Sequence, residues 1–578
     1  MITKYWILFV KLKKLRIINF RNFDNCEIEL SNKNLIFGMN DVGKSNLIHA
    51  LRLLFDNRVR NYSIYDTDFH QLDTSKEIEI SCYIDISIKN DYSEILIAKA
   101  ENAIVSESEL VQVKLIIHLS DDNQFITQLY WGSENEELLL IPQHGSNRTV
   151  LDDIFYCTFI PAQNNTSSTF KDFKSELLNN HTPNDEDRAI EGRIREFNKS
   201  LNSSISELST VANMESSLNA QLELFDDNYQ IKIRPNHMFG ELHSNLNIFM
   251  FDKCLDDEEP KLYPTAGDGR IRKVMYAIIS YLLREGKNAN GRIPILLIEE
   301  PENHLFIASQ IELSKTIFSE SFNPFLFLVT HSPQLFFKIS DQANLIRLYK
   351  KDFQIKVKSE IANVGGQYNH LKNILMENLA QCLFVNRVLL VEGPSEKLLF
   401  EWVLDTLEID RKDIVIQSIN GVYFDKYLQV LVGLGIKVLM KTDNDVAKSR
   451  TKKGEAQKYT ALGFNRCVDL YNIINPSSSK SKISSQATGY DELRNFVLTN
   501  HQSDILDFAN LGIYLSDLDL ENDLWDCLQI DDKKEFVENL YESKWINMWE
   551  LLESLTLVEA QKIYEHEKFQ CLKALTNE

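Results

Sequence analysis

Short apolar runs that end in acids or glycines organise this chain. Arg387-Val-Leu-Leu-Val-Glu392 takes four apolar residues straight into a carboxylate, followed by Gly393, Pro394 and Glu396. A run of that length fits a strand buried on both faces of a parallel sheet. Glu392 then stands at the strand's carboxyl end, where open α/β sheets place their ligands. Ser395 is positioned to cap the next helix, with Glu396 in its first turn. Residues 436–440 repeat the pattern and lead into Lys441-Thr-Asp-Asn-Asp445. Asp443 and Asp445 are two apart, so an extended backbone points both to one side. Pro294-Ile-Leu-Leu-Ile298 ends in Glu299 and Glu300, and 325–330 ends in His331-Ser-Pro. Ile513-Tyr-Leu515 reads as one more strand, with Asp519 just beyond it.

Alternation is the second pattern. Residues 78–86 and 111–119 alternate apolar and polar positions, the mark of half-buried strands. Residues 14–37 read as a hairpin of 15–20 and 26–30, with a third strand at 35–37. That third strand delivers Gly38-Met-Asn-Asp-Val-Gly43-Lys44-Ser45, a full match to G-x-x-x-x-G-K-[ST]. Leu47, Ile48, Leu51 and Leu54 then follow at helical spacing. Backbone N–H groups and a helix N-terminus make such a loop a phosphate cradle. Gly38, Asn40, Gly43, Lys44, Ser45 and Asn46 are the candidate nucleotide contacts, with Lys44 on the β- and γ-phosphates and Ser45 on Mg²⁺. Glu299 fits a Mg²⁺-directed acid, Glu300 a base and His331 a γ-phosphate contact. Gln71 lies where a loop glutamine can sense the nucleotide. A second Gly-rich loop at 263–270 precedes a helix at 271–284. Between 164 and 225 the apolar positions thin to Ile190, Ile194, Phe197, Leu201, Ile205 and Leu208, continued by Leu218 and Leu222. Spacings of three and four make one helical stripe, read as an inserted arm. It packs on its own domain or on a second subunit, and the dimer arm is preferred.

Composition narrows the classes. A chain of 578 residues holds several domains, and 44% hydrophobic residues suffice for packed cores. A net charge of −22 argues against a protein that coats nucleic acid by bulk electrostatics, without excluding DNA binding. A nuclease needs acids for metals and only a local basic track. Lys448, Arg450, Lys452 and Lys453 form one candidate track, and Lys480 with Lys482 another. No run reaches the roughly 18 apolar residues of a membrane span. The first ten residues are briefly apolar, but Lys11, Lys13 and Lys14 follow, so no signal peptide is expected. Eight dispersed cysteines without a C-x-x-C pair suggest a reduced, cytoplasmic setting and no structural zinc.

The P-loop, the long insertion, Ile298-Glu-Glu-Pro-Glu302 and Thr330-His-Ser-Pro333 together resemble the ABC-type ATPases of the RecF, SMC and OLD group. Val391-Glu-Gly-Pro-Ser-Glu396 with Thr442-Asp-Asn-Asp445 resembles a TOPRIM domain. ATPase first and TOPRIM second is the layout of OLD-family nucleases. Phe37-Gly-Met-Asn-Asp41, Asp519-Leu-Glu-Asn-Asp523 and His566-Glu-Lys-Phe569 resemble, within that family, the endonuclease subunits of Gabija anti-phage systems. The fold expected is therefore α/β. An ABC-type P-loop ATPase domain over 1–360, with a helical dimerisation arm inserted at about 164–225, is followed by a Rossmann-like TOPRIM domain with helical additions over 361–578.

The resemblance implies a DNA endonuclease that nicks or cleaves phage double-stranded DNA with Mg²⁺ or Mn²⁺, restrained by ATP and Mg²⁺ at the P-loop. It implies a UvrD-like helicase partner and a homo-oligomer, a tetramer. By carry-over, Glu392, Asp443, Asp445 and Asp519 are metal or catalytic acids, Lys544 is the catalytic lysine, and Glu396 and Glu521 are accessory ligands. Acids at this density suit two-metal phosphodiester hydrolysis. Two departures leave ATP hydrolysis open. Glu299 stands where many ABC proteins carry Asp, and Thr265-Ala-Gly-Asp-Gly269 departs from the usual Ser-Gly-Gly signature. The rival readings are an ATP-driven RecF/SMC-like DNA-repair ATPase with TOPRIM as a platform, and a nucleotide-gated scaffold. A topoisomerase or primase lacks its tyrosine domain or zinc here.

Overall fold

The computed structural model describes residues 10–162 and 292–577, apart from short stretches within them, and scattered positions between 186 and 222. The chain divides into two compact units. One comprises Met1–Cys157, Ser280–Lys287 and Gly291–Glu578, the other Thr158–Ile279 with Asn288–Asn290. Of the expected helical arm, helix Ser209–Leu222 falls among the described residues. The loop at 263–270 and the helix at 271–284 lie outside them, as does the apolar start at 1–9.

Among the described residues there are three large sheets and two short two-stranded ones. An antiparallel sheet runs in the order Phe23–Glu29, Lys11–Phe20, Ile78–Asp85, Leu110–Leu119, Phe125–Ser133, Leu139–Leu140. Its alternation turns one face inward: Leu15 pairs with Cys82 and Ile17 with Ile80, all buried.

A second sheet runs Phe155–Ile160, Ile293–Glu299, Phe325–Val329, Lys33–Gly38, Ala343–Lys351, Gln354–Ile361. Here the hairpin reading needs correction. Lys11–Phe20 and Phe23–Glu29 form the hairpin, but Lys33–Gly38 leaves it and pairs in parallel with Phe325–Val329 and Ala343–Lys351. Leu35, Ile36 and Phe37 are consecutive and fully buried, so they need cover on both faces. A half-exposed antiparallel sheet does not offer it.

The third sheet is parallel, in the order Ile414–Ser418, Arg387–Val391, Lys437–Thr442, Ile513–Leu515. Its register sets Val391 beside Lys441 and Thr442 beside Leu515, so the acids that follow these strands emerge together. Helix Pro394–Thr406 covers one face through Leu399, Phe400, Val403 and Leu404. Leu520, Leu524, Leu552, Phe569 and Leu572 from the C-terminal helices join the same core. Each such buried side chain is worth about 1.5–3 kcal/mol relative to exposure. The C-terminal helices are thus part of the domain that carries Glu392.

One buried arginine joins the P-loop sheet to the third sheet. Arg347, 2% exposed, donates from Nη1 to the carbonyls of Leu434 and Gly435, both at 3.2 Å. Its Nη2 donates to the carbonyl of Val385 at 2.9 Å and to Asn386 Oδ1 at 2.6 Å. Phe37, Phe336 and Phe384 pack beside this joint with ring centroids 5.5–5.7 Å apart.

Two smaller expectations are also corrected. Ser395 does not cap helix Pro394–Thr406; Gly393 is the N-cap, and Ser395 is buried inside the first turn. Pro394 takes the first helical position, which its fixed φ favours, so the helix starts one residue early. Lys480 is not part of an open basic track. It donates to Asp504 at 2.5 Å and Asp507 at 2.7 Å and lies over the Tyr471 ring, while Lys482 pairs with Asp469 at 2.7 Å. Lys448 and Arg450 are exposed, and Lys452 and Lys453 lie outside the described residues. The seven described cysteines are free and buried. Among the described residues no helix is long and apolar enough to cross a membrane.

Candidate active site and nucleotide site

The P-loop leaves the central strand of its sheet and enters helix Lys44–Phe55 with Gly43 as N-cap. Gly38 has φ +145, and a Cβ there would meet the Leu348 carbonyl oxygen at 2.1 Å. Only glycine fits that close approach. Lys44 is buried, and its ammonium donates to the carbonyls of Gly38 at 3.1 Å and Met39 at 2.5 Å. Burial pulls its pKa down, opposed by Glu300 and Asp41.

Glu299, the last residue of its strand, is hydrogen-bonded to Ser45, and burial pushes its carboxyl up. Glu300 has φ +44, accepts from Asn303 at 2.8 Å and lies 3.5 Å from His331 Nε2. Burial lowers the His331 pKa, and Lys44 lowers it further. Lys44, Ser45, Glu299, Glu300 and His331 therefore meet at the carboxyl ends of three neighbouring strands of one sheet.

Asn40 is exposed, and Asn46 turns to Arg21 at 2.9 Å and Asn22 at 2.7 Å. Gln71 sits at φ +53 in an exposed turn. Glu302 is a participant that the sequence reading left unassigned. It accepts from Thr330 at 2.8 Å and from the His331 backbone at 2.7 Å, so it fixes the histidine turn.

The second site lies at the carboxyl ends of the third sheet. Glu392 Oε1 accepts from the Asp443 backbone N–H at 2.9 Å, and also from the Thr442 hydroxyl and Arg466 Nη1. Arg466 Nη2 reaches Asp445 Oδ2 at 3.1 Å. Asp445 is half-exposed at the rim. Asp443 is partly exposed, and its carboxyl is pushed up to about 9, by desolvation first and then by Glu392 and Glu396. Glu396 is pushed up to about 7, again by burial and then by Glu392 and Glu521.

Asp519 caps helix Leu520–Leu528, accepting from the Asn522 backbone at 3.0 Å and from Tyr541. Glu521 is buried, with Oε1 3.3 Å from Lys544 Nζ and Oε2 without a partner. Burial opposes the charge on Lys544, but Glu521, Asp443 and Glu396 outweigh it and hold the lysine charged. The structure thus brings together Glu392, Glu396, Asp443, Asp445, Asp519, Glu521 and Lys544.

The oxygens of this set suit a hard divalent cation. Burial of mutually repelling carboxylates and the orphaned Glu521 oxygen fit one too. The cage is not preformed. Among the described residues no three acidic, His or Cys side chains are grouped to enclose an ion. Arg466 holds Glu392 and Asp445, Lys544 holds Glu521, and Tyr541 holds Asp519.

Several supports had no signal in the sequence. Gly463, at the start of helix Leu462–Ile474, lets the acidic loop pass, since a Cβ there would lie 2.1 Å from the Asp443 carbonyl oxygen. Beneath the site, buried Lys441 donates to Ser516 at 2.8 Å and Asp523 at 2.9 Å. Lys568 joins this layer through Asp517 at 2.7 Å.

Residues 11–336 match an AAA ATPase domain, and residues 383–445 match the TOPRIM domain of overcoming-lysogenization-defect-like proteins. Endonuclease GajA of Bacillus cereus (strain VD045) is 34% identical over 590 residues, spanning 98% of this chain and 99% of that one. The chain belongs to the OLD family, among its GajA-like members. It combines a P-loop ATPase domain and a following TOPRIM domain, with mixed α/β sheets. An ATP/GTP phosphatase of Helicobacter pylori (strain ATCC 700392 / 26695) is 26% identical over 64% of this chain and 96% of its own length. Among solved structures, an SMC head bound to the C-terminal winged-helix domain of ScpA is similar over 61% of this chain and 98% of that chain. That similarity comes at 14% identity and a TM-score of 0.34, too low to carry weight.

Proposed function

We propose that this GajA-like protein is a metal-dependent DNA endonuclease whose cutting is regulated by nucleotide at its P-loop and which acts in bacterial anti-phage defence. The observation that carries the reading is the meeting of Glu392, Glu396, Asp443 and Glu521 with Lys544 at the carboxyl ends of a parallel sheet. Glu392, Asp443, Asp445 and Asp519 are assigned to hold Mg²⁺ or Mn²⁺, with Glu396 and Glu521 as accessory oxygens. Bound divalent ions would supply an activated water and offset charge on the leaving oxygen.

The chain's own part is different. Lys544 stands beside the acids, half-exposed, placed to meet a phosphate oxygen. Desolvation and the neighbouring acids make charge on Asp443 and Glu396 costly, a cost that a bound cation would relieve. At the other site, Lys44 and Ser45 would hold the nucleotide phosphates and their Mg²⁺, with Glu299 as a further acid for that ion and Glu300 and His331 as the polar groups for the terminal phosphate. The ATPase domain is assigned to 1–360 and the TOPRIM domain to 361–578. Likeness to Gabija endonucleases supports a tetramer and a UvrD-like helicase partner, and the dispersed cysteines support a cytoplasmic site of action.

Incubation of supercoiled plasmid with the protein and Mg²⁺, with EDTA and with ATP, tests the reading. Nicked or linear product with Mg²⁺, lost in EDTA and reduced by ATP, is expected. Cleavage that strictly requires ATP hydrolysis, or none at all under any condition, overturns it in favour of the motor or platform reading.

A further inference from the structure

We propose that Arg466 is a resident counter-ion of the nuclease site, holding the acids closed until a divalent cation displaces it. The inference rests on the reading of Glu392 and Asp445 as metal-holding acids. Arg466 lies in helix Leu462–Ile474, 74 residues beyond Glu392, and is mostly buried. One guanidinium nitrogen bonds both Glu392 Oε1 and Thr442 Oγ1, and the other bonds Asp445 Oδ2. It therefore spans two of the acids assigned to the ion. Glu392 Oε1 already accepts from the Asp443 backbone N–H and the Thr442 hydroxyl, so Arg466 crowds an oxygen that a metal would need.

With three donors already on it, Glu392 Oε1 has little room for a divalent ion while Arg466 stays in place. Both are cations, and at contact distance in a partly buried site their repulsion amounts to several kcal/mol. Paired carboxylates also yield their partner only to a competing cation, because bare buried acids are costly. The grip of Arg466 is thus a toll on metal binding, and one reason that no cage is preformed.

The side chain has somewhere to go. Arg466 also lines a cavity of about 450 Å³ with Asp425, Asp469, Leu470, Asn472 and Ile473. Asp469 there is 2.7 Å from Lys482 and Asp425 is 3.1 Å from Lys426, so both carboxylates are half-neutralised surface partners. Moving the guanidinium into this cavity exchanges two acids for two others without stranding it.

A purely structural arginine gives the opposite sign. Removing a strut loosens the acids and weakens metal binding, whereas removing a competitor strengthens it. The test is calorimetric titration of nucleotide-free full-length protein with Mn²⁺ for the wild type, Arg466→Gln, Arg466→Ala and Glu392→Ala. Arg466→Gln keeps amide hydrogen bonding to Glu392 and guards against misfolding of the alanine variant.

Half-saturation at an Mn²⁺ concentration lower by on the order of tenfold in Arg466→Gln, and at least as low in Arg466→Ala, is expected. Plasmid cleavage should reach its plateau at correspondingly lower Mn²⁺. Unchanged or weaker binding in Arg466→Gln overturns the proposal while leaving the metal-site reading intact. If Glu392→Ala binds Mn²⁺ like the wild type, the site reading itself fails, and the counter-ion proposal fails with it.

Discussion

Two strand ends in one compact unit meet the same electrostatic problem in opposite ways. At the P-loop the chain presents a cation, and Lys44 rests on the neutral carbonyls of Gly38 and Met39. At the TOPRIM end it presents anions, and these rest on charged side chains: Glu392 and Asp445 on Arg466, Glu521 on Lys544. A carbonyl gives up an ammonium to a phosphate readily, since a charge-assisted bond replaces a weaker one. An ion-paired carboxylate gives up its partner only to another cation. The first site holds its cation on neutral acceptors, while the second holds its acids in ion pairs.

Arg347 is where the comparison breaks most easily, because it holds the two regions together. Arg347→Ala leaves the acceptors at Val385, Leu434, Gly435 and Asn386 without their donor. A loss of about 3 kcal/mol or more in stability is expected, read from denaturant midpoints. If the loss stays under about 1 kcal/mol, the joint is not a joint.

Lys44→Ala sharpens the contrast from the other side. Loss of the P-loop ammonium should weaken ATP binding by on the order of a hundredfold and abolish the response of cleavage to ATP. Fluorescent-nucleotide titration reads the first effect and plasmid cleavage the second. Retention of the ATP response would place regulation elsewhere.

The smallest effect is a pH dependence. Asp443 at about 9 and Glu396 at about 7 are raised above ordinary carboxylates. Between about pH 4 and pH 9 the folded protein then binds more protons than the unfolded chain. Stability from these groups is complete at low pH and is lost as pH rises through their folded values. Mg²⁺ takes the place of those protons, so the rise in Tm on adding Mg²⁺ should be larger at pH 8.5 than at pH 6. An equal or reversed shift at the two pH values contradicts the assignment of these acids to the ion.

The two sites also differed in how far the sequence disclosed them. The P-loop is written in consecutive residues, because a phosphate cradle is made of local backbone. Lys44, Ser45, Glu299, Glu300 and His331 were all legible, and the structure brings them together. The acids at 392, 443 and 519 were legible for a related reason, since each follows an apolar strand.

The groups that hold those acids were not. Arg466 pairs with an acid 74 residues away, and Lys441 with Asp523 across 82, so nothing in local spacing marks them. Lys480 and Lys482 misled for the same reason, as their aspartates lie 24, 27 and 13 residues away. Within a strand the pattern decides, as in the three consecutive apolar residues that pulled Lys33–Gly38 into the parallel sheet. Between elements only the fold decides.

The central claim is that the acid cluster headed by Glu392 is the cutting centre. The most direct measurement is the rate of Mg²⁺-dependent loss of supercoiled plasmid by wild type and Glu392→Ala, with assembly monitored by size-exclusion chromatography. The account predicts a fall of at least on the order of a hundredfold, with assembly unchanged. A Glu392→Ala protein that cuts at the wild-type rate would contradict it.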